Sequence, residues 1–252
     1  MRPSNLPRKM YREVFRVIAE SDISIEVLDS RFPYQTRSAK VESFVSREKK
    51  SLILCMNKCD LVPLRVLYKW KKKLSKSYPT VFFSARHRHG SRILRKTISR
   101  YGKQNNDVFC CLFGLPNTGK SSISNILKGR HAAPTSPIPG YTKSLQFLRI
   151  GPQLLFIDTP GIIPSNEFEP ELQVFLGTIP VTKLEDPITS LQIVLNRMKH
   201  FYTKGFLNFY KLDTFPQDIE SVLETLAKKR GRLLKGGIAD GEGMARIMLK
   251  EF

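Results

Sequence analysis

Residues Gly114-Leu115-Pro116-Asn117-Thr118-Gly119-Lys120-Ser121 carry the spacing G-x-x-x-x-G-K-[ST], a pattern with a definite chemistry. Glycines at both ends let backbone N–H groups curl around phosphate oxygens, and a helix opening at Lys120 adds the positive end of its dipole. Lys120 would reach the β- and γ-phosphates of a nucleotide, and the Ser121 hydroxyl would ligate Mg²⁺. Asn117, Thr118, Gly119 and Ser122 complete the candidate nucleotide-binding set at this loop. The chemistry requires a strand before the loop and a helix after it, and the apolar run Val108–Phe113 supplies the strand.

A second constellation would choose the base. Asn57-Lys58-Cys59-Asp60 follows the apolar run Leu52–Met56. At the C-terminal end of a strand, the Asp60 carboxylate can accept from both the ring N–H and the exocyclic amine of guanine. Adenine would leave it unpaired, and sites built on such hydrogen bonds reject the analogue strongly. The Lys58 stem can lie over the base, and Asn57 can brace the phosphate loop. Ser84-Ala85-Arg86 ends the next strand-like run, where the Ala85 N–H could meet the guanine carbonyl. Each short match is weak alone; together at successive strand ends they are specific.

Two further segments fit the γ-phosphate. Asp158 in Asp158-Thr159-Pro160-Gly161 would hold Mg²⁺, through water, and the Gly161 N–H would contact the phosphate. Thr142 lies between the phosphate loop and Asp158 and is the candidate for a switch threonine that closes over Mg²⁺ only with a triphosphate bound. Lys120, Thr142 and Gly161 are thus the candidate catalytic groups.

The elements that must position these residues are legible as periodicity. Strands are expected at Ile23–Leu28, Leu52–Met56, Thr80–Phe83, Val108–Phe113, Leu145–Ile150 and Leu154–Ile157, with helices beginning near Arg8, Val66, Ser91 and Lys120. This alternation predicts an α/β fold with a mostly parallel six-stranded sheet. Gly151-Pro152 suggests a hairpin and one antiparallel edge. Beyond Pro164 the pattern turns helical, at Leu172–Leu176, Ile188–Met198, Ile219–Lys229 and Gly243–Phe252, with a turn at Gly236-Gly237. The expected domains are therefore residues 1–168 and 169–252.

Composition narrows the partners. The net charge is +20, and all of that excess lies in residues 1–164, which hold 30 Lys/Arg against 10 Asp/Glu. From Leu61 to Asn106 there are 13 Lys/Arg and no acid. A solvated face normally mixes signs, so an acid-free stretch points to a polyanion, nucleic acid before a solubility surface or anionic lipid. No apolar run approaches the roughly 18 residues of a membrane span. Cys55, Cys59, Cys110 and Cys111 lack metal-ligand spacing and read as reduced, which implies the cytoplasm.

The order of the motifs is distinctive. N-K-C-D and S-A-R precede the phosphate loop, and Thr142 and D-T-P-G follow it, whereas in ordinary small GTPases the phosphate loop comes first and the base-recognition motifs last. The chain therefore resembles the circularly permuted GTPases of the YlqF/YawG type, a group of ribosome-assembly factors. Asp29-Ser30-Arg31-Phe32-Pro33, similar to that group's D-A-R-x-P signature, and Thr36-Arg37-Ser38 add to the likeness, as does the stretch from Arg230 to Asp240.

The resemblance implies GTP/GDP as ligand, assembly of the large ribosomal subunit or its precursor, and rRNA binding by the basic first domain. A monomer off the ribosome and slow hydrolysis, stimulated by K⁺ and by the ribosome, are expected with it. Asn117 matches the asparagine that helps hold K⁺ in potassium-activated relatives. Ile162 stands where many GTPases carry a water-orienting glutamine, and an N-terminal histidine of bacterial relatives is missing around Arg8-Lys9-Met10-Tyr11, which suggests the archaeal or eukaryotic branch or a different way of positioning water. Coupling to tRNA modification, or GTP sensing with negligible hydrolysis, are the alternative readings.

Overall fold

The computed structural model describes residues 6–102, 107–128, 147–150, 154–157, 173–174, 176–177 and 179–251. The chain divides into two compact units, Met1–Ser165 and Asn166–Phe252.

The first unit is built on strands β1 (Ile23–Asp29), β2 (Ser51–Asn57), β3 (Thr80–Phe82), β4 (Val108–Phe113), β5 (Phe147–Ile150) and β6 (Leu154–Ile157). They form one sheet in the order β3-β2-β1-β4-β6-β5. Every neighbouring pair is parallel except β5 with β6, where Phe147 opposes Ile157 and Ile150 opposes Leu154. The antiparallel edge matches the hairpin expected there, although Gly151-Pro152 lies outside the described residues. All seven residues of β1 are buried, as a central parallel strand covered on both faces requires.

Helices α1 (Leu6–Glu20), α2 (Ala39–Arg47), α3 (Leu64–Leu74), α4 (Ser91–Tyr101) and α5 (Lys120–Lys128) cover the two faces. Alternation along the strands sorts the core. Leu28, Leu54, Met56 and Phe113 face one side with Val17 of α1, Val45 of α2, and Leu67 and Leu74 of α3. Ile25, Val27, Ile53 and Leu112 face the other side with Leu94 and Ile98 of α4, and Ile123 and Leu127 of α5. The basic stretch from Leu61 onward therefore does not form one flat patch. It crosses one face of the sheet as α3, passes through edge strand β3 and returns on the opposite face as α4.

Helix α2 was not expected. It has nine residues, with Val41, Phe44 and Val45 as its apolar positions, too short for periodicity to reveal amid Ser, Lys and Glu. Thr80–Phe83 shortens by one residue: the Phe83 N–H still donates to Met56 O as the last rung against β2, and Ser84 then pairs with His89 instead.

The second unit holds α6 (Pro187–Tyr210), α7 (Ile219–Lys229) and α8 (Gly241–Glu251). Asp186 caps α6 by accepting from the Ile188 and Thr189 N–H groups at 3.1 and 2.9 Å, and Asp218 caps α7 in the same way. Helix α6 runs a full 24 residues, well past the expected end at Met198. Of the expected helix at Leu172–Leu176, only Gln173 and Val174 are described as helical. Gly236 and Gly237, at φ +89° and +79°, close the expected turn between α7 and α8, where Leu233 bridges Ala239. Tyr210 donates to Glu251 at 2.7 Å, and Arg230 pairs with the same carboxylate at 2.7 Å. Among the described residues, no helix is long and apolar enough to cross a membrane.

Candidate nucleotide-binding site

Strands β1, β2, β3 and β4 are parallel neighbours, so their C-terminal ends carry four loops to the same end of the sheet. The predicted motifs occupy three of these loops. A cleft of about 380 Å³ opens there, between Asn57, Lys58 and Ala85 on the base-recognition side and Asn117, Gly119 and Lys120 on the phosphate side. Ser121 and Ser122 line the same cleft.

Asn57 joins the halves. Its Nδ2 donates to Thr118 O at 2.7 Å, and its Oδ1 accepts from the Ala85 N–H at 3.1 Å. One buried amide thereby fixes the phosphate loop against two segments distant in sequence. The expected brace between Asn57 and the loop is present. The Ala85 N–H, expected to face the guanine carbonyl, is instead taken by Asn57. Gly119 has φ +99°, and a Cβ placed on it would lie 2.1 Å from Asn57 Nδ2. At Gly114, with φ +143°, a Cβ would meet Val27 O at 2.5 Å. Both positions require glycine for conformation and for space.

The loop is built to receive negative charge. Asn117 adopts φ +60°, and Thr118 Oγ1 donates to Leu115 O at 2.9 Å. Helix α5 opens at Lys120, aiming its N-terminus at the loop. Lys120 Nζ donates to Gly114 O at 3.0 Å and Leu115 O at 2.6 Å and pairs with no carboxylate among the described residues. Burial alone lowers its pKa to about 8. A half-buried ammonium resting on two loop carbonyls fits a site whose counter-charge is a phosphate.

Asp60 stands beside the cleft in the turn Cys59–Leu61. Its Oδ1 accepts from Ser84 Oγ at 2.5 Å, and Ser84 Oγ in turn accepts from the His87 N–H at 3.2 Å. Ser84 thus orients the carboxylate expected to read guanine. Arg86 is exposed. Thr142, Asp158 and Gly161, the expected switch and Mg²⁺ groups, lie outside the described residues, as does Ile162. Ser121 is the one expected Mg²⁺ ligand that is described, and it lines the cleft beside Lys120.

Sequence reasoning noted Asp29 but assigned it no role. Its buried carboxylate accepts from Arg31 Nε at 3.0 Å, from an Arg31 terminal nitrogen at 2.7 Å and from Lys58 Nζ at 2.8 Å. Burial works to raise its pKa, but Arg31 and Lys58 outweigh it and the net shift is downward. The charged carboxylate therefore anchors Lys58, a left-handed residue at φ +58°, at the cleft. The signal available beforehand was an aspartate ending β1 next to the strand that ends in Asn57.

Deeper in β1, Glu26 is wholly buried. Its Oε1 accepts from the Ser38 N–H at 2.7 Å. Burial first, and then the neighbouring Glu42, push its pKa well above the ordinary carboxylate value. Arg37 holds Glu42 through two hydrogen bonds of 2.6 and 2.5 Å. Burial thus favours the protonated form of Glu26, whose Oε1 pins the start of α2. Burial also raises the thiols of Cys55, Cys110 and Cys111, all of which are free.

Comparison with known proteins agrees with this geometry. A family model described as "50S ribosome-binding GTPase" matches residues 109–200. Nucleolar GTP-binding protein 2 of Pneumocystis carinii is 35% identical over 97% of the chain and 52% of its own length. The protein of the same name from Saccharomyces cerevisiae is 35% identical over 97% of the chain and 51% of its own length. The chain thus spans about half the length of these curated relatives. Among solved structures, GNP-bound YlqF from T. maritima superposes with a TM-score of 0.70, covering 96% of this chain and 92% of that one at 24% identity. At that identity the likeness speaks for the fold.

Proposed function

Since this chain belongs to the circularly permuted, YlqF-like GTPases, on the eukaryotic branch, we propose that it is a GTP-hydrolysing switch acting on precursors of the large ribosomal subunit. The observation that carries the reading is the Asn57 bridge, which holds a guanine-type base motif and a phosphate loop around one cleft.

In the bound state, Asp60 held by Ser84 reads the base edge, Lys58 held by Asp29 lies over its face, and Lys120 exchanges two loop carbonyls for phosphate oxygens. Ser121, with Asp158 and Thr142, would hold Mg²⁺, whose charge offsets that developing on the phosphates. Gly161 would bond the γ-phosphate. Asn117 would hold K⁺ in the place of an arginine finger. With Ile162 after Gly161, no side chain at that position orients the attacking water. Intrinsic turnover is therefore slow and depends on K⁺ and on the ribosomal target.

The relatives are named as nucleolar proteins, which moves the proposed compartment from the cytoplasm to the nucleolus. The acid-free stretch from Leu61 onward supports an rRNA partner. The test is GTP turnover in K⁺ and Na⁺ buffers, with large subunits, small subunits or neither. Stimulation by K⁺ and by large subunits alone is expected. Equal rates in all conditions would remove the switch reading and leave the nucleotide site, which GDP-over-ADP binding checks separately.

A further inference from the structure

We propose that the solvent face of α3, together with Tyr34, is a binding platform for unpaired RNA, with phosphates along the helix and bases stacked on flanking tyrosines. The proposal rests on the reading of an RNA partner and deepens it, because the basic stretch is split between two faces of the sheet and its α3 part sets charge between two exposed rings, Tyr34 and Tyr68, whereas the α4 part ends in a single one, Tyr101.

Residues step about 100° around a helix. In α3, Leu67 and Leu74 turn into the core. Arg65, Lys69, Lys72 and Lys73 then fall on the opposite side, and all are exposed, as is Lys76 just beyond. Eleven residues make this strip about 16 Å long. An exposed ring stands on each border. Tyr68, 58% exposed, sets its edge against Phe82 at 5.6 Å between centroids. Tyr34, 52% exposed, leans on half-buried Trp70 at 6.2 Å.

The cations and rings already engage one another. Lys73 Nζ lies 4.7 Å from the Tyr34 centroid and 5.6 Å from that of Trp70, and the Arg37 guanidinium lies 5.6 Å from Tyr34. Tyr34 is therefore held outward by packing and by cations, so little ordering entropy remains to be lost when a base stacks on it. No acid interrupts residues 61–106.

This combination favours a single strand. Cations alone would suit any duplex, whereas aromatic faces gain only from bases whose own faces are free. It also disfavours a membrane. A helix lying in a bilayer surface offers its apolar face, and that face of α3 is buried against the sheet.

The experiment titrates the chain with a short labelled oligo(U), the same length of RNA duplex, and phosphatidylserine vesicles, over a range of salt. Oligo(U) should bind best. Tyr34→Ala/Tyr68→Ala should weaken it about tenfold or more at unchanged salt slope, while Tyr34→Phe/Tyr68→Phe keeps affinity. Lys69→Gln/Lys72→Gln/Lys73→Gln should lower the salt slope by about two. Because Tyr34 packs on Trp70, Lys69→Glu/Lys72→Glu, confined to solvated groups, carries the test independently and should cost at least about tenfold. GDP affinity should be unchanged in every variant.

The platform is refuted if the alanine pair binds oligo(U) as the unaltered chain does, if the Lys→Glu pair leaves affinity intact, or if duplex or vesicles bind in preference. A chain that binds GDP but no RNA also refutes it while the nucleotide site stands. Loss of GDP binding in the unaltered chain would overturn the proposed function itself.

Discussion

Replacing Lys120 by methionine should stabilise the nucleotide-free protein while abolishing nucleotide binding. In the structure the ammonium has two carbonyls for company, and burial holds its pKa at about 8 against an ordinary 10.5. A shift of that size corresponds to about 3 kcal/mol at ~1.36 kcal/mol per unit. The sign follows from linkage. An amine whose native pKa lies below its unfolded value penalises folding while it stays protonated, so the full cost applies below the native pKa and fades as pH rises toward the unfolded one. That places the penalty near 3 kcal/mol at pH 7 and near ~2 kcal/mol at pH 9.

Methionine matches the length of the buried stem without the charge. Urea unfolding of the nucleotide-free chain should therefore find Lys120→Met more stable by up to about 3 kcal/mol at pH 7, with the gap narrowing by roughly 1 kcal/mol at pH 9. Loss of the two carbonyl hydrogen bonds works against the gain and makes these upper figures. Fluorescent GDP should no longer bind the variant, and its affinity for the unaltered chain should fall as pH rises above about 8. A gap that is constant between the two pH values, or a variant less stable at both, would refute the view of Lys120 as a strained cation awaiting phosphate.

Other substitutions probe the supports of the cleft. Asn57→Ala leaves the Thr118 carbonyl and the Ala85 N–H without partners, which should cost about 2–4 kcal/mol in urea unfolding and remove measurable GDP binding. Asp29→Ala strips Arg31 and Lys58 of their shared carboxylate and should cost about 3 kcal/mol, with GDP affinity reduced at least tenfold by titration. The depressed pKa of Asp29 means that the unaltered chain keeps this stabilisation above the ordinary carboxylate range and loses it only as pH falls through the lower native value. Glu26 has the opposite sign. Its raised pKa supports the fold fully below about 4.5 and progressively less as pH rises. Glu26→Gln, which keeps an acceptor for the Ser38 N–H, should raise the melting temperature at neutral pH and flatten its pH dependence.

The strands and helices that carry the motifs were legible because apolar runs such as Leu52–Met56 and Val108–Phe113 are the direct imprint of burial on both faces of a parallel sheet. The motif order was legible for a different reason. Phosphate and base chemistry fix residue types at short spacings, and their succession along the chain needs no contact to be read. Helix α2 stayed hidden because its stability comes from packing Val41 and Val45 into the core shared with α1 and β2, not from a long local period.

Roles that depend on a partner across the fold belonged to tertiary structure alone. Asp29 holds Lys58 because β1 and β2 are neighbours whose ends align, Asp29 opposite Asn57. Asn57 takes up the Ala85 N–H because β3 delivers that loop to the same end of the sheet. The basic stretch, continuous in sequence, is divided by the sheet because α3 and α4 bury their apolar sides on opposite faces, and only the α3 half meets Tyr34. Local chemistry is written in residue type and spacing, whereas the identity of a side chain's neighbour is set by which strands lie adjacent and which face each helix covers.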